Sequence, residues 1–255
     1  EITREEALSQ NKRIQFENQS IVGSISLKGA AIDDLTFKEY NVALESDEKV
    51  KLLSPRNTKD GYFIESGFIT TDKNIDIPDS NSLWSVLGNN KLTNQSPVKL
   101  SWTNDQGITF EKQITLADNF LFTINQKVIN STNKNYDFYS YGQIIRKEIP
   151  DISNFYILHE GLLATLDEEL IEEDYDDIQE EKFSRTSQKG WLGISDKFWI
   201  TSLIPPSGKE FKTTFDYKDK FRANFVATDP LELRGNSSIE DKLQVIVAAK
   251  RVDII

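Results

Sequence analysis

Ile108 to Leu116 reads ITFEKQITL, and Leu121 to Ile129 reads LFTINQKVI, with Ala117-Asp118-Asn119 between them. Both runs partly alternate apolar or aromatic side chains with polar ones and are rich in β-branched residues, which is the pattern of strands with one wet face. The same pattern recurs at Ala31 to Tyr40 (AIDDLTFKEY), Tyr136 to Lys147 (YDFYSYGQIIRK) and Glu210 to Tyr217 (EFKTTFDY). Turn residues punctuate the chain at short intervals, among them Asn18-Gln19-Ser20, Asp60-Gly61, Pro205-Pro206-Ser207-Gly208 and Gly235-Asn236. Asn104-Asp105-Gln106-Gly107, between Val98–Thr103 and Ile108–Leu116, is the best hairpin turn, with Gly107 able to supply a positive φ. Many strands joined by short turns predict an antiparallel all-β architecture.

The chain has 255 residues, of which 38% are hydrophobic, with 15 Phe, 8 Tyr and 4 Trp, enough material for a packed interior. A single large β domain is expected over 13–255, since no repeat, linker or change of composition divides it. Helical signal is sparse. Tyr175 to Phe183 predicts a short helix with Asp174 as its N-cap. Residues 1–12 are polar, and although Thr3 to Glu6 fits a capping box, Leu8 alone is too little apolar surface to dock them, so a disordered or frayed tail is expected.

Thirty Lys plus Arg against 41 Asp plus Glu give a net charge of −11. An anionic chain without a basic block is a poor ligand for nucleic acid and for anionic lipid. With no Cys, disulfides, thiolate metal sites and thiol nucleophiles are excluded. No Met is present, even at the first residue, Glu1, so the chain reads as a piece of a longer protein. No run approaches the roughly 20 apolar residues of a membrane span.

Little in the sequence points to catalysis. His159, in FYILHEG (Phe155 to Gly161), is the only histidine, and Glu160 beside it would face the other way along a strand. Asp167 to Glu181 (DEELIEEDYDDIQEE) carries ten carboxylates but no Gly of the kind a calcium loop needs, and reads as a solvated acidic edge or helix. Lys189 to Ile204 (KGWLGISDKFWITSLI) concentrates aromatic residues between glycines. It reads as a pair of core strands joined at Ser195-Asp196-Lys197, or as an exposed shelf for a carbohydrate or peptide. Gly190, Trp191, Gly193, Asp196, Phe198 and Trp199, with Glu172, Asp174 and Tyr175 of the acidic stretch, are the candidate partner or cleft surface. No catalytic, cofactor or metal residues are assigned.

Six segments in order, VGSISLKGAAIDDL (Val22 to Leu35), KLLSPRNT (Lys51 to Thr58), YFIESGF (Tyr62 to Phe68), Leu121 to Thr123, FYILHEG and the aromatic stretch, resemble the large periplasmic domain of the YidC membrane-protein insertase of Gram-negative bacteria. Lys189 stands where that family often has a second Gly, and Leu162 where it often has Pro. The resemblance implies a β-supersandwich of two large twisted antiparallel sheets, galactose-mutarotase-like, with one or two short helices. It also implies a parent protein in the bacterial inner membrane, with one span before this domain and a five-helix core after it. The role implied is noncatalytic: support of insertion and folding, chaperone-like, through contacts with the Sec translocon, its auxiliary subunits or nascent membrane proteins. A periplasmic carbohydrate- or peptide-binding module using the sandwich cleft is the alternative. Epimerase activity is not expected, because aldose epimerases of that fold use several histidines.

Overall fold

The computed structural model describes residues 1–149 and 159–250. Its first half runs through α1 (Arg4–Ser9), β1 (Arg13–Glu17), β2 (Ile21–Ser26), β3 (Ile32–Asn41), β4 (Lys49–Leu53), β5 (Tyr62–Ile69), β6 (Ser85–Leu87), β7 (Lys91–Thr93), β8 (Val98–Thr103), β9 (Ile108–Leu116), β10 (Leu121–Asn130) and β11 (Tyr136–Arg146). The second half holds β12 (Gly161–Leu166), β13 (Glu169–Asp174), α2 (Tyr175–Glu180), β14 (Phe183–Ser187), β15 (Gly190–Ser195), β16 (Trp199–Ile204), β17 (Phe211–Tyr217), β18 (Phe221–Ala227), β19 (Leu231–Leu233) and β20 (Ser238–Ala249).

These strands form an eleven-stranded sheet, ordered β14-β17-β18-β11-β5-β3-β2-β1-β7 with β19 on β11 and β4 on β3, and a nine-stranded sheet, ordered β13-β12-β15-β16-β20-β10-β9-β8-β6. Pairing is antiparallel as expected, with one departure: β7 runs parallel to β1. Alternation sets which face is buried. In β9 the residues Ile108, Phe110, Ile114 and Leu116 face inward, and in β10 so do Phe122, Ile124 and Val128. The β8–β9 turn takes the expected form: Gly107 has φ +87°, while the Asn104 side-chain oxygen accepts from the backbone N–H of Gln106 (3.0 Å) and Ile108 (2.9 Å).

One hydrophobic cluster lies between the sheets. Rings meet across it: Phe16 with Phe122 (5.1 Å), Phe110 with Phe138 (5.7 Å) and Phe37 with Trp199 (4.7 Å). Each fully buried ring of this kind contributes about 1.5–3 kcal/mol of transfer free energy, so closing the sandwich is the main driving force for the fold.

The helices differ in detail from expectation. The frayed tail expected over 1–12 contains α1, whose capping box closes between Thr3 and Glu6, the Thr3 backbone N–H donating to the Glu6 carboxylate at 2.9 Å. Ala7, not Leu8, is its buried residue, and the Arg4 guanidinium ties it to the Asp34 carboxylate and to the Leu53 carbonyl at 3.2 Å. A small residue and one charge pair therefore dock a helix that has almost no apolar face. At α2, Asp174 occupies the N-cap position but makes no cap hydrogen bond, and the helix ends at Glu180, with Phe183 opening β14.

Candidate functional site

The aromatic stretch folds as the expected strand pair. β15 and β16 run antiparallel, Leu192 opposite Leu203 and Ser195 opposite Ile200, and both lie within the nine-stranded sheet. Two glycines permit this packing. A Cβ on Gly190, whose φ is +143°, would sit 2.0 Å from the Thr165 carbonyl oxygen, and one on Gly193 would sit 2.1 Å from that of Thr201.

The candidate residues divide between interior and surface. Trp199 is half-buried, stacked on Phe37 and edge-on to Tyr40 at 5.3 Å, so it bridges the two sheets. Asp196 and Tyr175 are buried. Arg146 of β11 donates through Nη1 to both Asp196 carboxylate oxygens (2.7 and 2.6 Å), its guanidinium lies over the Tyr62 ring at 4.3 Å, and the Tyr175 hydroxyl donates to Asp196 Oδ1 at 3.3 Å. Burial, opposed by Arg146, pushes the Tyr175 hydroxyl far above the usual phenol range. This group is a cross-sheet lock and offers nothing to a partner. Phe198, at the turn, is 57% exposed with the Lys197 ammonium 5.1 Å from its ring centroid.

Strand register brings the remaining candidates together. Across β13, β12, β15 and β16 the paired rows are Leu170–Thr165–Trp191, which stops at β15, Glu172–Leu163–Gly193–Ser202 and Asp174–Gly161–Ser195–Ile200. The intervening row contains Ile171, Ala164 and Leu192, which are buried, so the three named rows share the outer face. Trp191 is half-buried there, while Glu172, Asp174 and Leu170 (58% exposed) stand on β13, the edge strand. Leu170 was not among the sequence candidates. Its signal was an apolar residue out of phase with Ile171 in an otherwise acidic strand.

The acidic stretch is the solvated edge expected of it. Asp167 and Glu168 form the β12–β13 turn with φ of 50° and 74°, and Asp167 Oδ1 accepts from the backbone N–H of Gln188 (3.0 Å) and Lys189 (3.1 Å). Glu168 pairs with Lys189 at 2.5 Å and Glu169 with Arg185 at 2.7 Å. Glu172, Glu173, Asp176, Asp177, Glu180 and Glu181 have no cation within salt-bridge distance among the described residues. His159 Nδ1 is 3.4 Å from Asp174, and its Nε2 is 3.2 Å from the Leu162 carbonyl. Ser195 bonds the backbone oxygen of His159 and not its ring, so among the described residues no hydroxyl nucleophile is paired with this histidine. His159 and Glu160 precede β12 outside any strand, and the strand expected from Phe155 falls partly outside the described residues.

The architecture is that of known mutarotase-like proteins. A galactose mutarotase related enzyme from Lactobacillus acidophilus superposes with a TM-score of 0.65 at 11% identity, covering 93% of this chain and 97% of that one. A galactose mutarotase-like protein from Lactobacillus casei gives 0.65 at 10% identity, with 93% and 100% covered. At such identities the likeness concerns the fold alone. In sequence, the chain is 68% identical over 254 residues to a membrane protein insertase YidC of Pelagibacter ubique and 36% identical over 256 residues to that of Rickettsia prowazekii, covering 100% and 97% of this chain. It spans 46% and 45% of the length of those relatives. The model of the YidC periplasmic domain matches residues 13–255, and with these identities it follows that the chain belongs to the family of YidC periplasmic domains, on the periplasmic side of the bacterial inner membrane.

Proposed function

We propose that this chain is a noncatalytic binding platform of an inner-membrane insertase, presenting the outer face at the β12–β13 edge to a Sec translocon component or a nascent membrane protein. The observation that carries this reading is the register that places Leu170, Trp191, Glu172 and Asp174 on one face beside a sheet edge. An apolar pair beside Glu172, which has no cation within salt-bridge distance among the described residues, and Asp174, whose one ion-pair neighbour there is His159, suits a partner segment that is basic and partly apolar. Family membership supports the insertase context, and the single histidine, held between Asp174 and the Leu162 carbonyl, is not poised for epimerase chemistry.

The test is capture of purified Sec auxiliary subunits by the wild-type chain and by Leu170→Ser, Trp191→Ser and Glu172→Lys variants, each checked for unchanged melting. Loss of capture, and weaker capture as salt rises, is expected. Capture unaffected by all three substitutions would remove this face as the contact surface.

A further inference from the structure

A second feature lies on the inner side of the nine-stranded sheet, away from the proposed contact face. Lys112 of β9 is 3% exposed, and among the described residues no carboxylate lies within salt-bridge distance of its ammonium. Its Nζ donates to the Ser66 carbonyl and to the Ser66 hydroxyl (3.2 Å), leaving one proton unspent, and sits 5.3 Å from the centroid of the Trp84 ring. Trp84 and Gln126 line the same cavity and are 6% and 1% exposed, yet Trp84 Nε1 and Gln126 Oε1 have no hydrogen-bond partner among the described residues. The cavity leaves about 30 Å³ for the centres of water-sized groups, enough for a two- or three-atom polar head and too little for a sugar ring.

Three carboxylates also border the cavity, and each is already engaged. Glu65 is held by the Arg56 guanidinium and by Gln143 Nε2 at 2.8 Å, Glu111 by Lys99 at 2.9 Å, and Asp79 by the backbone N–H of Asn81 at 2.8 Å and the Ser82 hydroxyl at 3.1 Å. The unspent hydrogen-bonding capacity is therefore two donors, one of them charged, the third Lys112 proton and the Trp84 indole N–H, against one acceptor, Gln126 Oε1, whose own N–H₂ is turned to the Gly67 carbonyl at 3.5 Å. A buried ammonium whose nearest compensating charge, Glu65, lies beyond ion-pair distance and is itself held by Arg56 remains costly, and an oxyanion that accepts two hydrogen bonds offsets that cost.

We propose that this cavity is a binding site for a small carboxylate anion, held by the Lys112 ammonium and the Trp84 indole N–H. Burial pushes the Lys112 ammonium down to about 8, and a bound carboxylate would raise it again. This site is independent of the contact face proposed above.

The probe is acetate, compared with its neutral analogue acetamide and with chloride at equal ionic strength, against the whole ¹⁵N-labelled chain. Of the four Trp indole signals, the one lost in Trp84→Phe should move saturably with acetate, with a dissociation constant on the order of 1 mM, the range open to a four-atom ligand. Acetamide should bind at least about tenfold more weakly, and Lys112→Met should abolish the shift. If Lys112→Met does not fold, calorimetry on Trp84→Phe, which keeps an aromatic ring but lacks the indole N–H, should show acetate affinity reduced by about threefold or more. No saturable shift with acetate, or equal shifts with acetate and acetamide, would overturn the assignment and leave a cavity filled by water only.

Discussion

Replacing Arg146 by Met tests the packing of the two sheets most sharply. Arg146 ends β11 in the eleven-stranded sheet, and Asp196 lies in the β15–β16 turn of the other, with side chains 10% and 5% exposed. The substitution would leave the Asp196 carboxylate buried with, among the described residues, only the Tyr175 hydroxyl at 3.3 Å as a side-chain donor, and would strip the cation from the face of Tyr62. Stranding one partner of a buried pair costs about 3–5 kcal/mol. For a domain of this size each kcal/mol lowers the melting temperature by about 2–4 °C, so a fall of about 6–20 °C is expected. Urea unfolding followed by circular dichroism reads the free energy directly, with an unchanged slope showing that the transition remains comparable. The double variant Arg146→Met with Asp196→Leu removes both charges and should recover most of the loss. A single-variant cost below about 1 kcal/mol, or a double variant as unstable as the two single effects summed, would refute the idea that this ion pair ties the sheets together.

Three further outcomes follow from buried groups and close contacts. Lys112 is pushed down to about 8 by burial, so between that value and its ordinary 10.5 the unfolded chain binds more protons than the folded one; wild-type stability should rise with pH across this window by about 3 kcal/mol relative to Lys112→Met, and equal pH profiles would contradict this. Burial raises the Asp241 carboxyl above its usual range, opposed by the neighbouring Ser140 and Gln126 side chains, and among the described residues neither oxygen has a partner at full hydrogen-bond geometry. Because a raised carboxyl loses its stabilising contribution as pH climbs through the folded-state value, Asp241→Asn should gain stability over wild type as pH rises towards 7, by about 1 kcal/mol or more, measured by urea unfolding at several pH values. Gly193→Ala would force a Cβ to within 2.1 Å of the Thr201 carbonyl oxygen, so a loss of about 2–3 kcal/mol or failure to fold is expected in thermal melts, and an unchanged melting temperature would show that the β15–β16 contact is looser than described.

The long strands were legible because their alternation is strong: β8 and β9 have the limits read from the sequence, and β10 and β11 differ by one residue at one end. The three-residue β6 and β7, and the parallel pairing of β7 with β1, were not, since such short segments carry no period and owe their form to tertiary pairing. The sites were the less legible part. Asp196 and Tyr175 look like surface residues of an acidic, turn-rich region, and only the distant Arg146 makes their burial tolerable. The interior polar row did leave a sign. Lys112 stands in phase with Ile108, Phe110, Ile114 and Leu116, Gln126 with Phe122, Ile124 and Val128, and Asp241 with Leu243 and Val245, and register places the three side by side across β9, β10 and β20. A charged or amide residue at an apolar phase is the pattern to look for, although one strand alone does not show that three such residues align.

Photo-crosslinking in membranes tests the central claim most directly. A photoreactive residue at Leu170, Glu172 or Trp191 of the full-length insertase, compared with one at exposed Leu44 in the β3–β4 loop of the other sheet, reports what touches each face. Adducts with a Sec translocon component or a nascent membrane protein at the first three positions, and none at Leu44, are the expected result. Adducts at all four positions alike, or at none of the first three, would contradict a binding role for this face.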